Sequence, residues 1–224
     1  MKFNSQVRLL AALMALAVGT VAFADDYNPP SWRLGNASAT VQEWDFNTPS
    51  QPLAPDGNTW GSGGSGFVNP FGTPLMTTNA SWAPSIGTRN GIYQLTQPAD
   101  VMSFDIPNHF GSNDVKDIWI QVTFLDPTGG FPAVGIVSSS FTGPATFVSS
   151  QATADGFTQA TWSARFGPCP QNEVIQIAGH LPGAIVFVDQ VVIDTICNPV
   201  PEPSSLAILG AGAIAVVRKR RRKL

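Results

Sequence analysis

Between residues 25 and 203 no stretch holds apolar side chains at i, i+3, i+4 and i+7 for three turns, so no amphipathic helix is available to build a core. What recurs instead is alternation with a period of two. The clearest case is 118–125, where Ile118, Ile120, Val122 and Phe124 share one side and Trp119, Gln121, Thr123 and Leu125 the other. Asp126-Pro127-Thr128-Gly129-Gly130 then closes the run with turn chemistry. Similar short runs lie at 39–46, 92–96, 101–106, 133–138, 145–149, 157–165, 173–178 and 184–195. Many short strands divided by Gly and Pro turns predict an all-β chain, an antiparallel β-sandwich of one domain. No internal repeat stands out, which disfavours a solenoid or a propeller.

One segment breaks the rhythm. Residues 47–85 are crowded with Pro, Gly, Ser, Asn and Thr, and are expected as a long Gly/Pro-rich loop carrying Trp60, Phe67, Phe71 and Trp82. Within it, Gly61-Ser62-Gly63-Gly64-Ser65-Gly66 satisfies the Gly-x-Gly-x-x-Gly pattern by letter. It follows no strand of a βαβ unit and opens no helix, so the dinucleotide reading fails on context.

Charge narrows the partners. All fifteen acidic residues lie in 25–203, against only Arg33, Arg89, Lys116 and Arg165, which leaves this body near −11 although the whole chain is −3. Such a field repels nucleic acid and anionic membranes. The chain's two cysteines, Cys169 and Cys197, form an even pair. In an oxidising compartment a disulfide is the default, with two free thiols as the alternative.

Both termini read as processing segments. Lys2 and Arg8 precede an apolar run over 9–21, and Ala22-Phe23-Ala24 forms an Ala-x-Ala cleavage site before Asp25. Residues 1–24 are therefore expected to be a signal peptide. At the other end Val200, Pro201, Glu202 and Pro203 lead into a twelve-residue apolar run over 206–217, followed by Arg218, Lys219, Arg220, Arg221, Arg222 and Lys223. Twelve residues make roughly 18 Å of helix, short for a hydrocarbon core of about 30 Å. A short transmembrane helix still follows if the basic side chains snorkel and the bilayer thins. The basic cluster stays cytoplasmic and places the body outside. Pro201 and Pro203 hold the preceding segment extended, as a protease requires of a peptide it binds. A plain C-terminal anchor with a basic stop is the alternative.

A Pro-Glu-Pro box, an apolar span and a basic terminus, in that order, resemble the PEP-CTERM sorting signal of Gram-negative bacteria. The resemblance covers 200–224 and implies recognition by an exosortase, a membrane cysteine protease acting at or near the box, in bacteria that make exopolysaccharide. It implies general secretion, transient anchoring in the inner membrane, then the cell surface or extracellular matrix. More faintly, 173–177 and 184–193 resemble the last strands of galactose-binding-like jelly rolls, through a hydrophobic-Asp-x-hydrophobic pattern around Asp189. The domain plan is thus 1–24 signal peptide, 25–199 exported jelly-roll-like sandwich, 200–224 sorting signal.

Candidate chemistry in the body is thin. His109 and His180 both sit in turns, and no serine elbow accompanies them. Two cysteines with two distant histidines give no zinc spacing. Glu43 and Asp45 share a strand face, but a glycosidase needs two carboxylates across a cleft. Carboxylates at strand ends suit a structural calcium, although no aspartate-rich loop specifies one; the metal is open and no other cofactor is implied. Six tryptophans are the better lead, because sugars dock on aromatic rings with a few polar anchors. Trp44, Trp119 and Trp162 fall on strands and are expected in the core. Trp60 and Trp82 are the expected ligand-contacting pair, with pinning of the loop as the alternative. The reading is a non-enzymatic exported surface or matrix protein that contacts exopolysaccharide. A secreted polysaccharide-acting enzyme and a purely structural matrix protein are the alternatives.

Overall fold

The structure, a computed structural model, describes residues 27–33, 39–60, 64–65, 69, 71–111 and 114–199, with backbone alone at 57–60 and 64–65. The signal peptide with Ala22 and Ala24, and the terminal segment from Val200 onward, lie outside the described residues. Within them the chain forms β1 (Ala39–Trp44), β2 (Gly57–Trp60), β3 (Gly64–Ser65), β4 (Leu75–Thr78), β5 (Ser81–Ile86), β6 (Arg89–Leu95) and β7 (Val101–Pro107). There follow β8 (Asp114–Leu125), β9 (Ala133–Ser138), β10 (Thr142–Pro144), β11 (Thr146–Ala152), β12 (Thr158–Phe166), β13 (Asn172–Ala178) and β14 (Val186–Pro199). No described residue is helical. The all-β expectation holds, and the two antiparallel sheets form a sandwich.

The larger sheet runs β11-β12-β8-β14-β1-β2-β3, with the β5–β6 hairpin added where β6 pairs the start of β14. The smaller runs β10-β9-β13-β7-β4. Alternation decides what each strand buries. Ile118, Ile120, Val122 and Phe124 of β8 face the smaller sheet, beside Trp162 and Ala160 of β12 and Val191 and Ile193 of β14. Phe104, Ile106, Ile136, Ile175 and Ile177 come from the opposite sheet. Trp44 meets Phe104 edge-on at 4.9 Å, a contact between the sheets that locks β1 over β7.

Residues 47–85 depart from the expected long loop, since they contribute β2, β3, β4 and β5. Glycine and proline signal turns, and here they separate strands of two to six residues, too short for alternation to register. Trp82 accordingly lies on a strand. One glycine of β6 is obligatory: Gly91 has φ +72°, and a Cβ would sit 2.2 Å from the Phe46 carbonyl oxygen.

The core carries a polar chain, besides the buried Gln42 of β1. The Lys116 ammonium lies 3.0 Å from Glu173 and also donates to Asn108, and all three are buried between the sheets. Asn108 donates to Glu173 and to the Ile106 carbonyl, and accepts from Thr195, which bonds Thr40 at 2.9 Å. Burial lowers the Lys116 pKa from its ordinary value despite Glu173 and raises that of Glu173 to about 7 despite Lys116. Close by, Cys169 and Cys197 are joined as a disulfide across 28 residues, tying the β12–β13 connection to the end of β14.

Candidate functional site

The outer face of the larger sheet is unlike its inner face. Cross-strand register lines its side chains into rows. Asp117 lies beside Arg165, and Trp119 lies between Asp194 and Ser163. Gln121 lies between Val192 and Thr161, followed on β11 by Ser149, and Thr123 is beside Gln159 and then Gln151. Apart from Val192 and the cationic Arg165, these residues are amides, hydroxyls, acids and one indole. Yet the middle of the face is as buried as a core: Gln121, Thr123, Gln159, Thr161 and Asp194 are each at most 5% exposed.

Part of that cover is the segment 27–33, which crosses the face as a strap. The Asn28 backbone N–H donates to Gln121 at 3.0 Å, and its side-chain amide donates to Ser149 and Thr161 at 3.1 and 3.3 Å. The Trp119 indole N–H donates to the Asn28 carbonyl at 2.7 Å, and Tyr27 reaches the Ser149 carbonyl. Arg33 closes the strap with a two-pronged ion pair to Asp194. Burial pushes the Asp194 carboxyl up to about 6, against the downward pull of that guanidinium.

Beside the strap the face opens into a cleft of about 470 Å³. Trp32 of the strap and Trp119 of β8 line it, with Asp117, Thr146, Ser163 and Arg165. Arg165 reaches toward Asp117 at 3.7 Å, a loose pair with the Arg165 side chain 71% exposed. The other three cations of the body are engaged. Arg33 holds Asp194, and Lys116 holds Glu173. Arg89 grips Asp155 at 2.7 Å and also Asp189, while lying over the Phe157 ring at 4.8 Å. Hydrogen bonds from Arg89 and Thr153 hold the Asp155 carboxyl far below its ordinary range. Arg165 is therefore the cation left to meet a ligand. The arrangement is two indoles with one acid, one base and two hydroxyls at the edge of a sheet. It can stack on an apolar ring face and hydrogen-bond its rim, and it holds no pair of acids poised across a bond.

The residues singled out in the sequence are placed as follows. Trp82 is half-buried, packs against the core, and its indole N–H donates to the Phe46 carbonyl at 3.0 Å. The backbone of Trp60 lies on β2, opposite Thr40. Trp44 and Trp162 are in the core, whereas Trp119 is on the polar face. Glu43 and Asp45 do converge: the Gln190 amide donates to both, at 2.6 and 2.8 Å. His180 lies 3.5 Å from Asp126, and His109 is exposed beside the Phe71 ring. Neither takes a hydrogen bond from a serine among the described residues. No three His, Cys, Asp or Glu groups converge on a metal-sized site among them. Sequence reading missed the strap and the cleft, because Asn28 and Gln121 are 93 residues apart. The available signal was the polar half of the 118–125 alternation.

Residues 199–222 match the family model of the PEP-CTERM protein-sorting motif. The chain thus carries an exosortase recognition signal, the mark of an exported and sorted protein. No curated protein matches the sequence. Among solved structures, the chain is similar to a CBM22-1 xylan-binding domain from Paenibacillus barcinonensis Xyn10C, at 10% identity and TM-score 0.37, over 56% of this chain and 87% of that one. It is also similar to a carbohydrate-binding module CBM36 solved with calcium and xylotriose, at 16% identity and TM-score 0.30, over 52% and 96%. A CBM35 from Cellvibrio japonicus Abf62 follows at 11% identity and TM-score 0.30, over 54% and 91%. Likenesses this faint carry no argument about ligand or activity.

Proposed function

We propose that the exported body is a non-catalytic polysaccharide-binding domain, and that its contact surface is the cleft between Trp32 and Trp119. The observation that carries this reading is the cleft's composition. Two tryptophans meet Arg165, the one highly exposed cation in a body near −11, with Asp117, Ser163 and Thr146 around them. Aromatic faces accept the C–H faces of sugar rings, and the polar groups accept or donate to hydroxyls. The cleft's one acid and one base cancel, and the surrounding body is anionic, so a neutral polysaccharide fits better than an acidic one. Sorting delivers such a domain to the compartment where exopolysaccharide lies.

The test is affinity electrophoresis of the exported protein through gels containing neutral or acidic polysaccharide. Retardation by the neutral polymer is expected, and Trp32→Ala should weaken it about tenfold, the loss typical of an aromatic anchor. Arg165→Ala should weaken it less, and being exposed it leaves the fold intact. Equal mobility of all three proteins in every gel would end this assignment.

A further inference from the structure

The sandwich has several strand edges, and most are guarded. Unpaired edges recruit other strands, and proteins blunt them with short strands, proline, charge or a covering segment. On the larger sheet β3 has two residues, and β5 carries Pro84 in its middle. On the smaller, β10 has three residues ending in Pro144, and β4 is covered by the Leu53–Met76 bridge, with hydrogen bonds of 2.9 and 2.8 Å. Among the described residues β11 is the exception. It offers seven residues, Thr-Phe-Val-Ser-Ser-Gln-Ala, with no proline and no charge. Six of the seven are exposed, among them Phe147 at 49% and Val148 at 42%. Phe131, 39% exposed, stacks edge-on against Phe147 at 5.3 Å and extends the apolar margin. Its one blunting feature is a register irregularity, of the β-bulge kind, between Phe147 and Ser149.

We infer that β11 is a self-association edge whose partner is β11 of a second copy of this chain, paired antiparallel. Charge selects that partner. Two bodies near −11 repel over most of their surfaces, but residues 127–154 hold no charged side chain, and β11 lies within them. A neutral strand pairing with its own copy meets no like charge, and a two-fold axis makes the contact self-complementary. Tyr27 touches the Ser149 carbonyl at 3.4 Å, which leaves that oxygen a second lone pair. An axis normal to the sheet keeps both outer faces on one side. Thr146 of β11 lines the cleft, so pairing would bring two clefts onto one continuous surface and give a polymer two footholds.

The test is sedimentation velocity on the protein recovered from its host after export, with no polysaccharide present, so its outcome is separate from that of the cleft assignment. A monomer–dimer shift is expected in the range of about 10–100 μM, suited to a small interface. Val148→Lys and Ser150→Lys each add a charge that meets its twin's strand across the axis, and each should move the midpoint up by about tenfold or more. Ser85→Lys, exposed on β5, should leave it in place. A wild type monomeric to about 500 μM, beyond the weak-interface range, overturns the inference. So does dimerisation unchanged in both β11 variants, or equally reduced in Ser85→Lys.

Discussion

The two faces of the larger sheet are both buried, by opposite chemistry. Inward, Ile120, Val122, Trp162, Val191 and Ile193 meet the second sheet, interrupted by the Lys116–Glu173–Asn108 chain and by the buried Gln42 of β1. Outward, Gln121, Thr123, Gln159, Thr161 and Asp194 are equally hidden, with Val41, Val192 and Ile196 the apolar residues among them. Apolar burial is stabilising because water is excluded, at about 25 cal/mol per Å². Polar burial is close to neutral, since hydrogen bonds to water are exchanged for others. The inner face therefore holds the fold. The outer face is covered by a strap whose contacts a hydroxyl-rich ligand can imitate, which is why the cleft beside it is the better site.

The largest test of that contrast is Glu173→Ala on the inner side. It leaves the Lys116 ammonium fully buried with no carboxylate, and breaking such a pair costs about 3–5 kcal/mol. Urea unfolding should register a fall in midpoint of that size. A cost under about 1 kcal/mol would mean that water reaches the pair and that the inner face is wet there.

Asp194, under the strap, gives the next largest effect and one with a definite sign. Its carboxyl stands at about 6 folded against 3.8 unfolded, so folding takes up a proton between those values. The contribution is fully present below about pH 4 and is lost as pH rises through about 6, an amplitude of about 3 kcal/mol. Asp155, held low by Arg89, has the opposite sign, its contribution vanishing as pH falls below its ordinary range. Subtracting Asp194→Asn from wild type removes Asp155 and all other groups from the comparison. The stability difference, wild type over variant, should grow from pH 7 to pH 4. A difference that is flat or shrinks over this interval contradicts a desolvated Asp194.

Much of this architecture was legible in the sequence. The 118–125 alternation named the inward residues of β8, and 133–138 coincides with β9. Alternation reports only which residues share a side. It does not report whether the polar side is wet. Trp119 was grouped with Trp44 and Trp162 because all three lie on strands, but its neighbours Gln121 and Thr123 place it on the other face. The strap escaped notice because 27–33 contains no pattern of its own; its partners Gln121, Ser149 and Thr161 are contributed by three strands distant in sequence. Residues 47–85 read as loop because Gly and Pro there mark the ends of strands too short to show a period. Lys116, one cation among four, gave no sign that it points inward, since a charged residue on the inward side and the apolar Val115 on the outward side both break the alternation that begins at Ile118.

The smallest effect is the most discriminating between the two faces. Asn28→Ala removes the amide that bonds Ser149 and Thr161 while keeping the backbone bonds to Gln121 and Trp119. Two part-buried neutral hydrogen bonds should be worth about 1 kcal/mol together, because water or a ligand hydroxyl can replace the lost donor. The urea midpoint should therefore move little, while limited proteolysis within 27–33 accelerates severalfold, at a rate set by local opening rather than global unfolding. If Asn28→Ala instead unfolds the protein as Glu173→Ala does, the outer face is a second core and the strap is one of its walls. If proteolysis is unchanged and the midpoint also stays, the Arg33–Asp194 pair and the Asn28 backbone bonds hold the strap without the Asn28 side chain.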